Sequence, residues 1–142
     1  MYSTILLPVD LEDEHSWRKP VPTALALCRA FGAALHVVTV LPEFGLPIVS
    51  QYFPPDYEPK RRQEMTDQLR HFIAERVPAE VQVTPHLAEG TPYLQILRLA
   101  EEIGADLIVM GSHRPELRDY LLGPNAARVV RHAPCSVMVV RE

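Results

Sequence analysis

The sequence predicts an α/β protein: one open, mostly parallel sheet with helices on both faces. Two observations carry that expectation. Short apolar runs of strand length alternate with longer amphipathic stretches in the order β-α-β-α-β-α-β-α-β. Several of the runs are apolar without alternation, as strands covered on both faces are. A length of 142 residues fits one domain of ordinary size, spanning 1–142.

Thr4-Ile5-Leu6-Leu7-Pro8-Val9 is the first such run, closed by Asp10. A polar loop from Leu11 to Trp17 follows, then a helical stretch to about Phe31. Pro20 and Pro22 are compatible with its first turn, where amide donors have no helical partner. Ala24, Leu25, Cys28 and Phe31 fall at helical spacing, and Gly32 is a natural stop. Ala34 to Leu41 is rich in β-branched residues and reads as the second strand. Residues 42–59 read as a loop with five prolines and with aromatics that include Tyr52, Phe53 and Tyr57. Loops this long are usually functional or disordered. It leaves the ligand end of the sheet and is either a lid over that end or a flap against the sheet or a second subunit. The next helix is expected from about Lys60 to Arg76, with Met65, Leu69, Phe72 and Ile73 inward.

Glu80 to Leu87 alternates with period two, as a half-solvated edge strand does, and an edge tolerates Pro85. Thr91-Pro92 marks a helix start, with a capping hydroxyl followed by proline at the first helical position. Tyr93, Ile96, Leu97, Ala100 and Ile103 form its apolar stripe, and Gly104 ends it. Asp106 to Met110 is the fourth strand, Gly111 to Leu122 a loop, Asn125 to His132 a short helix and Ser136 to Val140 the last strand.

Composition narrows the function. Hydrophobic residues make up 47% of the chain and charged residues 23%, enough to bury a core. A net charge of -4 argues against a general nucleic-acid binder, which needs a basic face for phosphates. Two cysteines do not make a disulfide scaffold, and no run approaches the roughly 20 apolar residues of a membrane span. The expectation is a cytoplasmic protein with reduced thiols. His15, His36, His71, His86 and His132 show no metal-ligand spacing, so no metal site is expected. Neither G-x-x-x-x-G-K-(S/T) nor G-x-S-x-G is present, which removes the main support for a P-loop ATPase or an α/β-hydrolase. Cys28 reads as packing, and Cys135 has no evident base beside it.

In an open parallel sheet, ligands bind outside the carboxyl ends of the strands, where strand order reverses. Pro8-Val9-Asp10, Val40-Leu41, Met110 to Arg114 and Gly123-Pro124-Asn125 would meet there. The last of these opens a helix, and helix N-termini attract phosphate. Gly111 and Gly123 would let a ligand approach the backbone closely.

The opening T-I-L-L-P-V-D, the segment C-R-A-F-G-A-A-L-H-V-V-T-V-L-P, E-G-T-P-Y-L-Q-I-L-R-L-A and the long D-L-I-V-M-G-S-H-R-P…L-L-G-P-N-A-A-R-V-V run stand in one order and spacing. Together they resemble the universal stress protein family over essentially the whole length. The resemblance implies strand order 3-2-1-4-5, a homodimer and, in many members, ATP binding. It implies Pro8, Val9 and Asp10 by the ribose and adenine, and backbone hydrogen bonds to adenine from Val40. Met110 and Gly111 would pass beneath the nucleotide, with His113 and Arg114 near the phosphates. Gly123, Asn125 and Ala126 would open the phosphate-holding helix. Mg²⁺ would bridge the phosphates. In the implied order the final strand is an edge, and an apolar V-M-V-V edge favours pairing with its copy in a second subunit.

The chain departs from the family's G-x2-G-x9-G-(S/T) pattern. Arg114 stands at the second glycine, Gly123 comes one residue early and Pro124 stands at the Ser/Thr position. Proline removes a hydroxyl and an N–H, while the Arg114 fork suits phosphate. Three functions therefore stand: an ATP-binding stress module with little or no turnover, a family member that acts through protein partners without ATP, and a slow nucleotide hydrolase or phosphoryl-transferase.

Overall fold

A computed structural model describes residues 1–42, 57–112 and 124–141. The strands are β1 Thr4–Pro8, β2 Ala34–Leu41, β3 Val83–Glu89, β4 Leu107–Gly111 and β5 Ser136–Val140. The helices are α1 Pro20–Phe31, α2 Tyr57–Arg76, α3 Pro92–Ile103 and α4 Pro124–His132. All paired strands run parallel, in the order β3-β2-β1-β4-β5. The expected fold class and strand order are those observed. Most of the 42–59 loop, and His113, Arg114 and Gly123, lie outside the described residues.

The core has two halves because successive strand side chains point to opposite faces. Ile5, Leu7, Leu35, Val37, Leu107 and Val109 pack beneath α1 and α2 with Leu25, Cys28, Leu69 and Phe72. Leu6, Val38, Ile108 and Met110 pack on the other face against Ile96, Ala100, Ala126 and Val129 of α3 and α4. Central strands covered on both sides are apolar at most positions, which is the pattern of β1 and β4, while β2 adds His36 and Thr39 to its apolar run.

Helix ends follow local chemistry. Pro20 sits in the first turn of α1, and Gly32 and Gly104 terminate α1 and α3 at φ 67°, a left-handed value that glycine adopts without a Cβ penalty. Thr91 is the cap residue of α3, but its hydroxyl makes no capping hydrogen bond, contrary to expectation. Instead the Gln95 side chain folds back over Gly90. Leu99 also joins the buried stripe of α3, alongside Ile96 and Ala100. β3 begins three residues later than its alternation suggests. The Val81 amide is held in a turn by Pro78 O at 3.1 Å, and pairing with β2 starts at Val83.

At the amino end of the sheet, Asp106 ties the start of β1 to the start of β4. Its carboxylate accepts from Ser3 N at 2.9 Å, the Ser3 hydroxyl at 3.0 Å and Thr4 N at 3.1 Å. Burial alone would raise this carboxyl, but the bonds from Ser3 and Thr4 outweigh it and hold the group below 3.8. The folded form therefore binds this proton later than the unfolded chain. The clasp contributes fully above that ordinary value and is lost as pH falls through the lowered one. Asp106→Ala is expected to cost about 1–2 kcal/mol in urea denaturation at neutral pH, the low end of charged hydrogen bonds because two of the three are exposed.

Candidate functional site

β1 is the point where the sheet reverses direction, with β2 on one side and β4 on the other. Its pairing with β2 ends at Pro8 opposite Val38, and Val9 N then donates to Val38 O at 2.8 Å before the chain turns away. β2 continues to Leu41. Backbone groups alternate sides along a strand, and Ala34 N and Val38 O both face β1. Val40 has the same parity, so its N–H and C=O point past the end of β1. The result is a cleft of ≈ 200 Å³ at the carboxyl ends of the strands.

Eight of the eleven residues expected at the site line this cleft: Pro8, Val9, Asp10, Val40, Met110, Gly111, Asn125 and Ala126. Pro8, Val9, Met110 and Ala126 are buried and form its floor, whereas Asp10 is exposed at the rim. His113, Arg114 and Gly123 are the three that lie outside the described residues. The lining also includes residues that sequence reading did not single out. Asp13 and Ser16 come from the loop after β1, and Pro92 and Ile96 from α3, while Ser112 lies within the Met110 to Arg114 segment expected here. Pro92 had a signal available, because α3 starts where β3 reaches the same end of the sheet.

The loop after β1 is a built structure. Glu14–Ser16 forms a 3-10 turn, with the Asp13 side chain accepting from His15 N. The Ser16 hydroxyl lies 2.8 Å from Asp10 N, 2.9 Å from Asp10 O and 2.7 Å from Asp13 O. Asp10 itself has a loop-ordering role, since its Oδ1 accepts from Glu12 N at 3.1 Å. Its Oδ2 accepts from no described residue and remains available at the rim.

Gly111 corrects an expectation. The space that a Cβ would occupy is taken by protein: His15 O lies 2.9 Å from that position and Ser16 Cα 3.4 Å. The absent side chain admits the 3-10 turn against β4, so a requirement for close ligand approach is not what fixes glycine here. Gly111 still lines the cleft beside Ser112, whose amide donates to Val140 O at 3.2 Å.

α4 begins at Pro124, and Pro124, Asn125 and Ala126 face the cleft from its first turn. Its amide ends and dipole thus point at the space beside Met110 and Gly111. Among the described residues no cluster of His, Cys, Asp and Glu is arranged to hold a metal. Burial pushes both thiols up, with Asp106 adding to the effect at Cys135, so neither is an activated nucleophile. No helix among the described residues is long and apolar enough to cross a membrane.

Known proteins agree with this architecture. Universal stress protein G of Escherichia coli O157:H7 is 34% identical over 145 residues, covering 99% of this chain and 100% of its own length. The hypothetical protein MJ0577 superimposes with a TM-score of 0.82 at 24% identity, over 100% of this chain and 97% of that one. A universal stress protein crystallised in complex with cAMP superimposes with a TM-score of 0.71 at 25% identity, over 99% of this chain and 97% of that one. The sequence profile of the universal stress protein family matches residues 1–141, and this chain belongs to that family.

Proposed function

We propose that this protein is an adenine-nucleotide-binding stress-response module of the cytoplasm. It takes ATP with Mg²⁺, works as a homodimer and turns over little or no substrate. The observation that carries the reading is the cleft at the strand-order reversal, where a purine-sized hollow meets a backbone donor–acceptor pair, a carboxylate and a helix N-terminus. Val40 N–H and C=O suit a purine edge. Asp10 Oδ2 suits ribose hydroxyls. The first turn of α4, at Asn125 and Ala126, suits phosphate. At ≈ 200 Å³ the enclosed part fits a base, and the sugar phosphates extend toward α4 at the open mouth. A relative complexed with cAMP supports the adenine assignment.

Mg²⁺ commonly takes most of its ligands from phosphate and water, so a bare protein cluster is not required. The described lining supports a reading of binding without turnover. Its described ionisable groups are Asp10 and Asp13, and both carboxylates are engaged in ordering their own loop. The reading as a homodimer is supported by β5. Among the described residues it pairs with β4 alone, and Met138 on it is 37% exposed.

Calorimetric titration of ATP and Mg²⁺ into the purified protein tests the reading, with assay of any nucleotide released on denaturation. Saturable binding is expected at one site per chain. Absence of heat with ATP, ADP and AMP alike would return the function to protein partners alone. Pro124 is the observation that favours this second reading, because it opens α4 without the hydroxyl or N–H that phosphate would use. Pro124→Ser is accordingly expected to tighten ATP roughly ten- to hundredfold, the equivalent of one or two charged hydrogen bonds.

A further inference from the structure

Among the described residues β3 is an outer strand of the sheet, paired through β2 alone. On the face covered by α3, two histidines join these strands. His36 Nδ1 lies 2.8 Å from His86 Nε2, and the rings meet edge to edge, with centroids 5.1 Å apart and planes 22° apart. The register sets His36 opposite Thr84 and His86 opposite Val38, so the pair is a diagonal cross-strand contact. Both rings are partly buried. A groove of ≈ 310 Å³ beside His86 holds the charged groups on the pair's own face, Arg98 and Glu102 from α3. On the opposite face of β3, the Arg62 guanidinium of α2 meets Glu89 at 3.3 Å. From β1 and β2 the neighbours on the pair's own face are the apolar Leu6 and Val38.

The contact carries one proton between two nitrogens. When both rings are neutral, one N–H donates to the other ring's lone pair. After one proton is added, an imidazolium N–H still donates to a neutral partner. After a second, two donors face each other with no acceptor between them, and two like charges stand at hydrogen-bond distance. Glu102 can offset one of those charges, while Arg98 in the same groove opposes the offset.

We propose that the His36–His86 pair is a two-proton latch on the outer strand: with no added proton or one it clasps β3 to β2, and with two it releases β3 locally while the central strands hold. The electrostatics agree in sign. Burial lowers His36 first, and His86 lowers it further. Burial also lowers His86, with Glu102 pulling the other way. Both groups are held below 6.5, so the closed strand takes up protons later than the open one. The latch is complete above that ordinary value and weakens as pH falls through the lowered ones. Release would reach the cleft wall, since Gly90 N bonds to Leu41 O at 2.9 Å just before α3, which supplies Pro92 and Ile96 to the lining.

Native-state amide hydrogen exchange at about pH 7.5 and about pH 5, corrected for intrinsic rates, tests the latch. Gln82 O and Gly90 N face β2, so strand alternation directs the amides of His86 and Ala88 there as well, and these are the reporters. Their protection is expected to fall by about tenfold (~1.4 kcal/mol) relative to the amides of β4. His36→Gln and His86→Gln should each abolish that differential. Proton NMR of the wild-type imidazoles, which needs no variant, should show two coupled steps below 6.5. The latch is overturned if β3 and β4 lose protection in parallel, if the differential persists in either folded variant, or if the two rings titrate independently at the ordinary histidine value.

Discussion

Gly111→Ala is expected to lower global stability by about 1–3 kcal/mol and to displace the loop that carries Asp10. The new methyl would stand 2.9 Å from His15 O, 3.4 Å from Ser16 Cα and 3.6 Å from Pro20 Cγ. The nearest atom is a main-chain carbonyl, so no side-chain rotation relieves the overlap. The turn is also pinned from behind. Trp17 packs edge-on against Phe72 with centroids 5.4 Å apart, and the Arg76 guanidinium lies 4.2 Å over its ring. Retreat of His15 and Ser16 would therefore strain contacts between the loop and α2. Urea denaturation reads the stability term, and amide chemical shifts of Asp10 to Trp17 read the loop. An unchanged midpoint would mean that the turn yields freely and that glycine is kept at 111 for another reason. If the loop moves, nucleotide affinity should fall with it, although Gly111 contributes no side chain to the cleft.

How much of this was legible in the sequence depends on the range of the cause. β2 was readable to the residue, because a β-branched run between Gly32 and Pro42 has local boundaries. The stops at Gly32 and Gly104 were readable for the same reason: a left-handed residue is a local demand. The boundary of β3 was not, because Val81 is claimed by a turn with Pro78 and by the core under α2, neither of which period-two alternation records. At the site, Asp10, Gly111 and Asn125 could be placed from strand ends and a helix start. The direction of the Val40 backbone could not, since it matters only because β1 stops opposite Val38. Ser16 was invisible for a related reason. Nothing in Leu11 to Trp17 announces that one hydroxyl will close the loop, and the turn that positions it depends on a glycine 95 positions further along.

Asp10→Ala is expected to weaken ATP roughly ten- to hundredfold while leaving the fold within about 1 kcal/mol of wild type. The two halves of this expectation come from different oxygens. Oδ1 holds Glu12 N at 3.1 Å, a bond at an exposed rim that water can replace. The loop's remaining clasp is the Ser16 hydroxyl against Asp10 N, Asp10 O and Asp13 O, which uses only main-chain atoms of residue 10 and survives the substitution. Oδ2 is the atom left for a ribose hydroxyl, so its loss should register in binding. Ser16→Ala reverses the pattern. It removes the clasp, is expected to cost about 1–2 kcal/mol in denaturation, and reaches affinity only through the position of Asp10. Combining the two closes a double-mutant cycle: once the loop is unclasped, removing the carboxylate should cost less affinity than it does in wild type. Equal ATP affinity for wild type and Asp10→Ala would remove this carboxylate from the nucleotide site and leave it the loop-ordering role alone. Asp10→Asn separates charge from shape, because its amide can keep the Glu12 bond while giving up the negative charge. A ribose hydroxyl donating to the rim should lose less affinity there than in the alanine variant.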